Sequence, residues 1–170
     1  MRIVGGEWRG RIIKAPRGKT VRPTLDRVRE AWMSIVQLSL PGARVLDLFA
    51  GSGALGIEAL SRGAASAEFV DSDPRSLSIL RENLVALDAT DRATVLRSDA
   101  IAFADSLGPD SYDVVFADPP YATDAAVRLA ERWLSAPFSR MIGIEHARTV
   151  AMPPGGETRR YGDSGVTFYR

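Results

Sequence analysis

Short apolar segments alternate with amphipathic segments along most of the chain. Five apolar runs predict β-strands, at 44–49, 67–71, 93–97, 112–117 and 140–145. The segments between them carry apolar residues at helical spacing and predict helices, at 54–62, 74–87, 100–107 and 124–134. Strands that alternate with helices in this way indicate a doubly wound α/β fold with a mainly parallel, Rossmann-like sheet.

The two ends of the chain depart from this alternation. Residues 2–14 predict a small β-hairpin around a glycine-rich turn, and a helix follows, with Thr24 as its N-cap and Pro41-Gly42 as its end. Near the C-terminus, 157–161 and 166–169 predict two strands with no helix between them, which indicates an antiparallel hairpin at the sheet edge. We therefore expect a sheet of about seven strands, with an N-terminal arm over 1–23 and the main domain over 24–170.

Composition excludes several kinds of chemistry. The 170 residues are enough for one globular domain and contain no cysteine, which excludes disulfides, thiolate metal sites and a cysteine nucleophile. His146 is the only histidine, and we assign it no role; a histidine metal site or a Ser–His triad is therefore poorly supported, and we expect no metal. No apolar run has the length of a membrane span, and the N-terminus does not resemble a secretion signal, so we expect a cytoplasmic protein.

The charge is distributed unevenly along the chain. The formal net charge is +1, but the first 30 residues carry nine basic and three acidic side chains, a local charge of +6. The remaining 140 residues carry a net charge of −5. A basic arm on a mildly acidic body indicates a polyanionic partner such as nucleic acid, while the alternative is an ordinary solvated basic face.

A glycine-rich loop follows the first predicted strand. Gly51-Ser52-Gly53-Ala54-Leu55-Gly56 fits the G-x-G-x-x-G pattern and opens a helix, and Asp71 lies 20 residues after Gly51. Glycines let the backbone approach a ligand, and an acid at the end of the second strand can bind both ribose hydroxyls. The pattern on its own fits any nucleoside-containing cofactor, including NAD, or a turn without a ligand.

Asp47 narrows the choice of cofactor. It lies four residues before Gly51, where a carboxylate would repel a pyrophosphate but would favour the ammonium and sulfonium groups of S-adenosylmethionine (SAM). Asp-Leu-Phe-Ala-Gly-Ser-Gly at 47–53 resembles the first motif of class I SAM-dependent methyltransferases. That resemblance implies a set of cofactor-binding residues: Asp47, Phe49, Ala50, Gly51, Ser52, Gly53, Asp71, Ser72, Asp99 and Ala100. For Asp99, a helix N-cap is an equally good interpretation.

A second motif, Asp118-Pro119-Pro120-Tyr121, follows the fourth strand. In this fold the first and fourth strands are neighbours, so the motif and the glycine loop face one crevice. Prolines stiffen the turn, so the Asp118 carboxylate and the Pro119 carbonyl can hold the two hydrogens of an amine while Tyr121 stacks on a base. The motif resembles the catalytic sequence of methyltransferases that act on adenine N6, guanine N2 or protein glutamine; a plain proline turn is the alternative.

The N-terminal motifs distinguish among these substrates. Gly-Gly-Glu-Trp-Arg-Gly-Arg at 5–11 and Arg-Pro-Thr-Leu-Asp-Arg-Val-Arg-Glu at 22–30 resemble the RsmD family, and so do 49–62 and 166–169. The resemblance implies SAM-dependent methylation of guanine N2 in 16S ribosomal RNA, within the assembling 30S subunit. Forked phosphate contacts are then expected from five arginines: Arg9, Arg11, Arg22, Arg27 and Arg29. Trp8 can stack on a nucleotide or fill space beneath the arm.

Three other functions remain open from the sequence. An adenine-N6 DNA methyltransferase would share the two motifs but usually carries a larger target-recognition segment. An RNA-binding assembly protein could keep a relic cofactor pocket, although Asp47, Asp71 and Asp118 are all present. An NAD oxidoreductase is disfavoured by Asp47 and has no use for the Asp-Pro-Pro-Tyr motif.

Overall fold

A computed structural model describes residues 1–16 and 23–170, and in it the predicted strands form one sheet. The seven strands are β1 (Arg44–Leu48), β2 (Ser66–Asp71), β3 (Ala93–Arg97), β4 (Tyr112–Ala117), β5 (Ser139–Ala147), β6 (Glu157–Tyr161) and β7 (Ser164–Tyr169). Their order is β3-β2-β1-β4-β5-β7-β6. The pairs among β1 to β5 are parallel, whereas β7 is antiparallel to both β5 and β6. The mainly parallel sheet and its C-terminal hairpin are confirmed.

Helices cover both faces of the sheet, as a doubly wound fold requires. They are α1 (Pro23–Val36), α2 (Ala54–Ser61), α3 (Pro74–Ala86), α4 (Ala100–Asp105) and α5 (Ala125–Ser135). Helices α1, α2 and α3 contribute to a core cluster with Phe116 on one face. Helices α4 and α5 contribute to a second cluster on the other face, around Val115 and Ile142. The short connection from β5 to β6 has room for only a turn, so β6 and β7 form the edge hairpin.

The N-terminal arm packs onto the main domain through α2. The Glu58 carboxylate, 1% exposed, accepts the backbone N–H groups of Val4 at 3.0 Å and Gly5 at 2.8 Å. A Cβ atom at Gly6 would lie 1.8 Å from the Ser61 carbonyl oxygen, so only glycine fits there. In place of the predicted pair of strands, the arm has a single antiparallel bridge from Arg2 to Ile12, because the turn between its two ends donates its backbone N–H groups to α2. The domain boundary at residue 23 stays a prediction.

No helix in residues 1–16 and 23–170 combines the length and the apolar character needed to cross a membrane.

Candidate active site

The carboxyl ends of β1, β4 and β5 border a cavity of about 350 Å³ beside helix α1. Its wall combines the loop 49–52 after β1, Arg29 and Trp32 of α1, Asp118 after β4 and Glu145 of β5. The volume lies within the range of small-molecule sites, roughly 300–1,000 Å³. The structure therefore brings the glycine loop and the Asp-Pro-Pro-Tyr motif to one cavity, as the strand order predicts.

The glycine loop turns sharply between β1 and α2. Gly51 and Gly53 have φ angles of +56° and +86°, in the left-handed region that favours glycine. A Cβ atom at Gly53 would lie 2.2 Å from Leu80 Cδ1, and one at Gly56 would lie 2.3 Å from Phe69 Cε1. A Cβ atom at Gly51 would meet nothing within 4 Å. Gly53 and Gly56 are thus required for packing, whereas Gly51 keeps space open at the cavity wall.

Asp47 lies beneath the loop and supports it. Its side chain is buried, and its Oδ2 atom accepts the Gly56 N–H at 2.9 Å. Burial raises the pKa of the Asp47 carboxyl well above its usual range, against the lowering effect of the Gly56 hydrogen bond, and the negative charges of Asp118 and Asp71 raise it further. Asp47 is not part of the cavity wall, so its influence on a ligand would be through its charge.

We predict that Asp47→Asn changes how folding stability depends on pH. A carboxyl with a raised folded pKa stabilises the fold below its unfolded pKa, near 4, and this contribution is lost as the pH rises through the folded pKa. Asparagine does not titrate and can still accept the Gly56 N–H. We therefore compare the melting temperature of the variant with that of wild type at each pH. The difference, variant minus wild type, should increase by at least about 3 °C between pH 4.5 and pH 8, which corresponds to roughly 1 kcal/mol of folding stability. A difference in melting temperature that stays constant with pH would contradict the assignment.

The two other predicted cofactor acids lie after β2 and β3. Asp71 accepts the Gly51 N–H at 2.8 Å through Oδ2 and the Asp73 N–H at 2.8 Å through Oδ1, which ties the glycine loop to the end of β2. Asp99 caps α4 by accepting the Ala102 N–H at 2.8 Å, as its alternative interpretation predicted. Ser72 is exposed and Ala100 is buried. Binding of cofactor by these residues stays a prediction.

The Asp-Pro-Pro-Tyr turn is anchored at both ends. The Asp118 N–H donates to the Leu48 carbonyl oxygen at 3.4 Å, which places Asp118 beside the end of β1. Pro119 is buried, and the Pro120 carbonyl accepts hydrogen bonds from Thr123 through N–H at 3.2 Å and Oγ1 at 2.8 Å. The turn is therefore held in one shape by prolines and by hydrogen bonds.

Tyr121 is fixed by its hydroxyl group, which lies 2.6 Å from Glu145 Oε1 and 2.6 Å from Ser164 Oγ. Burial of this hydroxyl, together with the hydrogen bond to Glu145, raises the pKa of Tyr121. Tyr121 therefore keeps its proton, and its hydroxyl donates a hydrogen bond to the Glu145 carboxylate. The residue as a whole remains 45% exposed, so its ring is accessible to a planar partner.

The predicted RNA-binding arginines fall into different environments. Arg9, Arg11 and Arg27 are exposed, although Arg11 also donates to the Ala86 carbonyl oxygen at 2.6 Å. Arg22 lies outside the described residues. Arg29 is 7% exposed, because its guanidinium donates to the Arg2 carbonyl oxygen at 2.8 Å across the arm, and its predicted phosphate contact stays a prediction.

Trp8 fills space beneath the arm, as its alternative interpretation predicted. The residue is 5% exposed, and the Arg92 guanidinium lies 4.9 Å from its ring centroid. His146 is also buried, with Nε2 at 2.7 Å from Thr167 Oγ1, and it does not line the cavity beside α1.

Glu145 is an acidic residue of the cavity wall that the sequence analysis missed. Glu145 ends an otherwise apolar run in β5, and a charged residue at the carboxyl end of a central strand was a usable signal. Arg29, which the sequence predicts only as a phosphate contact, lines the cavity and forms an ion pair with Asp26 at 3.2 Å. Only the packing of the arm over α1 reveals this position.

Known proteins share both the sequence and the fold of this chain. The family described as conserved hypothetical protein 95 matches all of it, residues 1–170. The chain belongs to this family, the RsmD family. Over its full length, the RsmD-family chain is 38% identical to YlbH of Bacillus subtilis, which is named as a candidate rRNA methyltransferase. The match covers 98% of YlbH. The chain is also 32% identical over its full length to Ribosomal RNA small subunit methyltransferase D of Haemophilus influenzae, and covers 92% of it.

A solved structure of YhhF from Escherichia coli, named as a candidate methyltransferase, has the same fold. Its TM-score to the RsmD-family chain is 0.84 at 34% identity, and the alignment covers 99% of this chain and 96% of YhhF. The similarity extends over the N-terminal arm, the sheet and the C-terminal hairpin. The Rossmann-like methyltransferase fold predicted from the sequence is confirmed.

Proposed function

We propose that this chain transfers a methyl group from SAM to the exocyclic N2 amine of a guanine in 16S ribosomal RNA. One observation carries the proposal: Asp118, the first residue of the Asp-Pro-Pro-Tyr turn, and residues 49–52 of the glycine loop line the same cavity. Relatives that match the full length of the chain are named rRNA methyltransferases, which supports ribosomal RNA as the substrate class. Such a substrate is consistent with a cytoplasmic protein.

The residues at the cavity fit SAM. The space beside Gly51 is open, and the negative charges of Asp71 and Asp118 both act on the Asp47 carboxyl and raise its pKa. A cofactor with a positive sulfonium and no phosphate would relieve this repulsion, whereas a pyrophosphate would increase it. We assign the loop 49–53 and Asp71 with Ser72 to cofactor binding, and Asp99 with Ala100 to its adenine end. When bound, SAM would supply an electrophilic methyl group, whose bond to sulfur breaks on transfer so that S-adenosylhomocysteine is left as a neutral thioether.

Asp118 and Pro119 would prepare the amine. The lone pair of an exocyclic amine is delocalised into the ring, so the amine is a weak nucleophile. Two acceptors that hold its two hydrogens can orient the lone pair toward the methyl group, while Tyr121 stacks on the base. The nitrogen gains the methyl group and loses a proton, which the Asp118 carboxylate can accept. No thiol, imidazole or metal is required for these steps.

Exposed arginines of the N-terminal region would bind the RNA backbone. We expect Arg9→Ala and Arg27→Ala each to raise the KM for RNA about threefold to tenfold, because each removes a phosphate contact. The dissociation constant for SAM should not change, and the effect should shrink at high salt. Arg128→Ala, an exposed arginine on α5, is the matched control. Equal effects of all three substitutions would contradict a specific role for the arm.

The substrate class is tested by methyl transfer from labelled SAM to three acceptors. We expect label in 30S particles or in free 16S RNA and none in DNA. Label in DNA alone would instead identify an adenine-N6 or related DNA methyltransferase. SAM binding without transfer to any acceptor would favour an RNA-binding assembly protein that retains the pocket.

A further inference from the structure

Glu145 is a second acid at the cavity, and the mechanism above does not use it. It is 5% exposed, follows the apolar residues 141–144 of β5, and lines the same cavity as Asp118. A buried carboxylate costs free energy unless polar groups or a ligand compensate for it. Its position at the reaction cavity therefore indicates a role in binding.

The sheet places Glu145 beside Asp118. Strands β4 and β5 are parallel neighbours in which Ala117 pairs with Ile144, and Asp118 and Glu145 each follow that pair by one residue. Adjacent strands are about 4.8 Å apart, and side chains at the same level point to the same face. Both carboxylates thus line the wall of the same cavity.

Glu145 is held by Tyr121 of the motif, whose hydroxyl also contacts the C-terminal hairpin. The Tyr121 hydroxyl donates to Glu145 Oε1 at 2.6 Å and lies 2.6 Å from Ser164 Oγ. A carboxylate can accept several hydrogen bonds through its two oxygens, so the bond from Tyr121 leaves capacity for another donor. Tyr121 would stack on the face of the base, and the Glu145 carboxylate that its hydroxyl binds would face the edge of the same base.

The chemistry of the purine edge assigns a role to this second acceptor. In guanine, the N2 amine is adjacent to N1–H, which is a hydrogen-bond donor. In adenine, the atom next to the N6 amine is an unprotonated N1, which is an acceptor and would be repelled by a carboxylate. We propose that Glu145 selects guanine by accepting its N1–H while Asp118 and Pro119 hold the N2 amine. This inference rests on the proposed function and adds the residue that sets its base specificity.

The test compares guanine with 2-aminopurine at the methylated position. 2-Aminopurine keeps the amine at C2, but its N1 has no hydrogen. Synthetic RNA segments with either base can be ligated into 16S RNA and assembled into 30S particles. We expect wild type to prefer guanine by at least about 30-fold in kcat/KM. In Glu145→Gln, the side-chain amide can donate to the bare N1 of 2-aminopurine, so the preference should fall below about threefold or reverse.

Control variants separate base recognition from support of Tyr121. Ser164→Ala removes the other partner of the Tyr121 hydroxyl and leaves the carboxylate in place, so it should affect both bases equally. Glu145→Asp retains a carboxylate and should still prefer guanine, which provides a test if the glutamine variant does not fold. An unchanged ratio in Glu145→Gln would overturn the inference. Absence of any transfer to guanine by wild type would instead overturn the proposed function.

Discussion

Replacing Asp118 with alanine should lower the rate of methyl transfer at least about a thousandfold. The substitution removes the carboxylate that would hold an amine hydrogen and accept the proton, and such loss of positioning and proton transfer is worth about 4 kcal/mol or more. SAM affinity should fall far less than the rate, and the melting temperature should remain close to wild type, because Asp118 is exposed and the Asp118 N–H bond to Leu48 involves only the backbone. Single-turnover rates, a SAM titration and thermal unfolding measure the three quantities.

Asp118→Asn is the matched comparison for this result. Its side-chain carbonyl can still accept one amine hydrogen but cannot take up the proton, and methyltransferases with related motifs carry Asp or Asn at this position. The asparagine variant should therefore retain more activity than the alanine variant. Near wild-type turnover in Asp118→Ala would remove Asp118 from the reaction, and equal loss of SAM binding and activity would make it a cofactor residue.

Replacing Gly51 with alanine should weaken SAM binding at least about 30-fold with only a small loss of stability. The φ angle of +56° costs a non-glycine residue about 1 kcal/mol. The new methyl group would meet no protein atom within 4 Å, so it would occupy open space at the cavity wall. Isothermal titration with SAM and thermal unfolding measure the two effects separately.

Gly42→Ala provides the control for backbone strain. Gly42 has a φ angle of +74° and an equally open Cβ position, but it precedes β1, at the opposite end of that strand from the cavity. Both variants should lose a similar amount of stability, and only Gly51→Ala should lose SAM affinity. If both variants bind SAM like wild type, the glycine loop does not contact the cofactor.

Local patterns were sufficient to predict the sheet and the position of the two motifs. Alternation of apolar strands with helices determined the parallel order, and that order alone brings Asp118 to the end of β1. The glycines were identified by their spacing, but the structure separates their roles: Gly53 and Gly56 avoid close contacts with Leu80 and Phe69, whereas Gly51 leaves open space.

Features that depend on long-range packing were not predictable in the same way. The sequence predicts the arm as a hairpin, but Glu58 and Ser61 of α2 bind its backbone. These bonded partners lie more than 50 positions apart along the chain. Arg29 becomes buried only because the arm covers α1. Asp99 had two chemically equal interpretations, and the helix cap is the one observed.

The charge pattern takes on a clearer meaning at the site. The acidic body includes Asp47, Asp71 and Asp118, which interact electrostatically around the glycine loop. Burial of the Asp47 side chain raises the pKa of its carboxyl, and a cationic ligand in the cavity would lower that pKa again. The proposed cofactor and the proposed amine therefore both meet negative charge, while the exposed arginines of the N-terminal region face the solvent where a polyanion can bind.

Identification of the methylated nucleoside tests the central claim most directly. Ribosomal RNA from 30S particles treated with the protein and labelled SAM would be digested to nucleosides and analysed by mass spectrometry. We predict N2-methylguanosine as the labelled product, absent when Asp118→Ala replaces wild type. Label in N6-methyladenosine, or in no nucleoside despite SAM binding, would contradict the account.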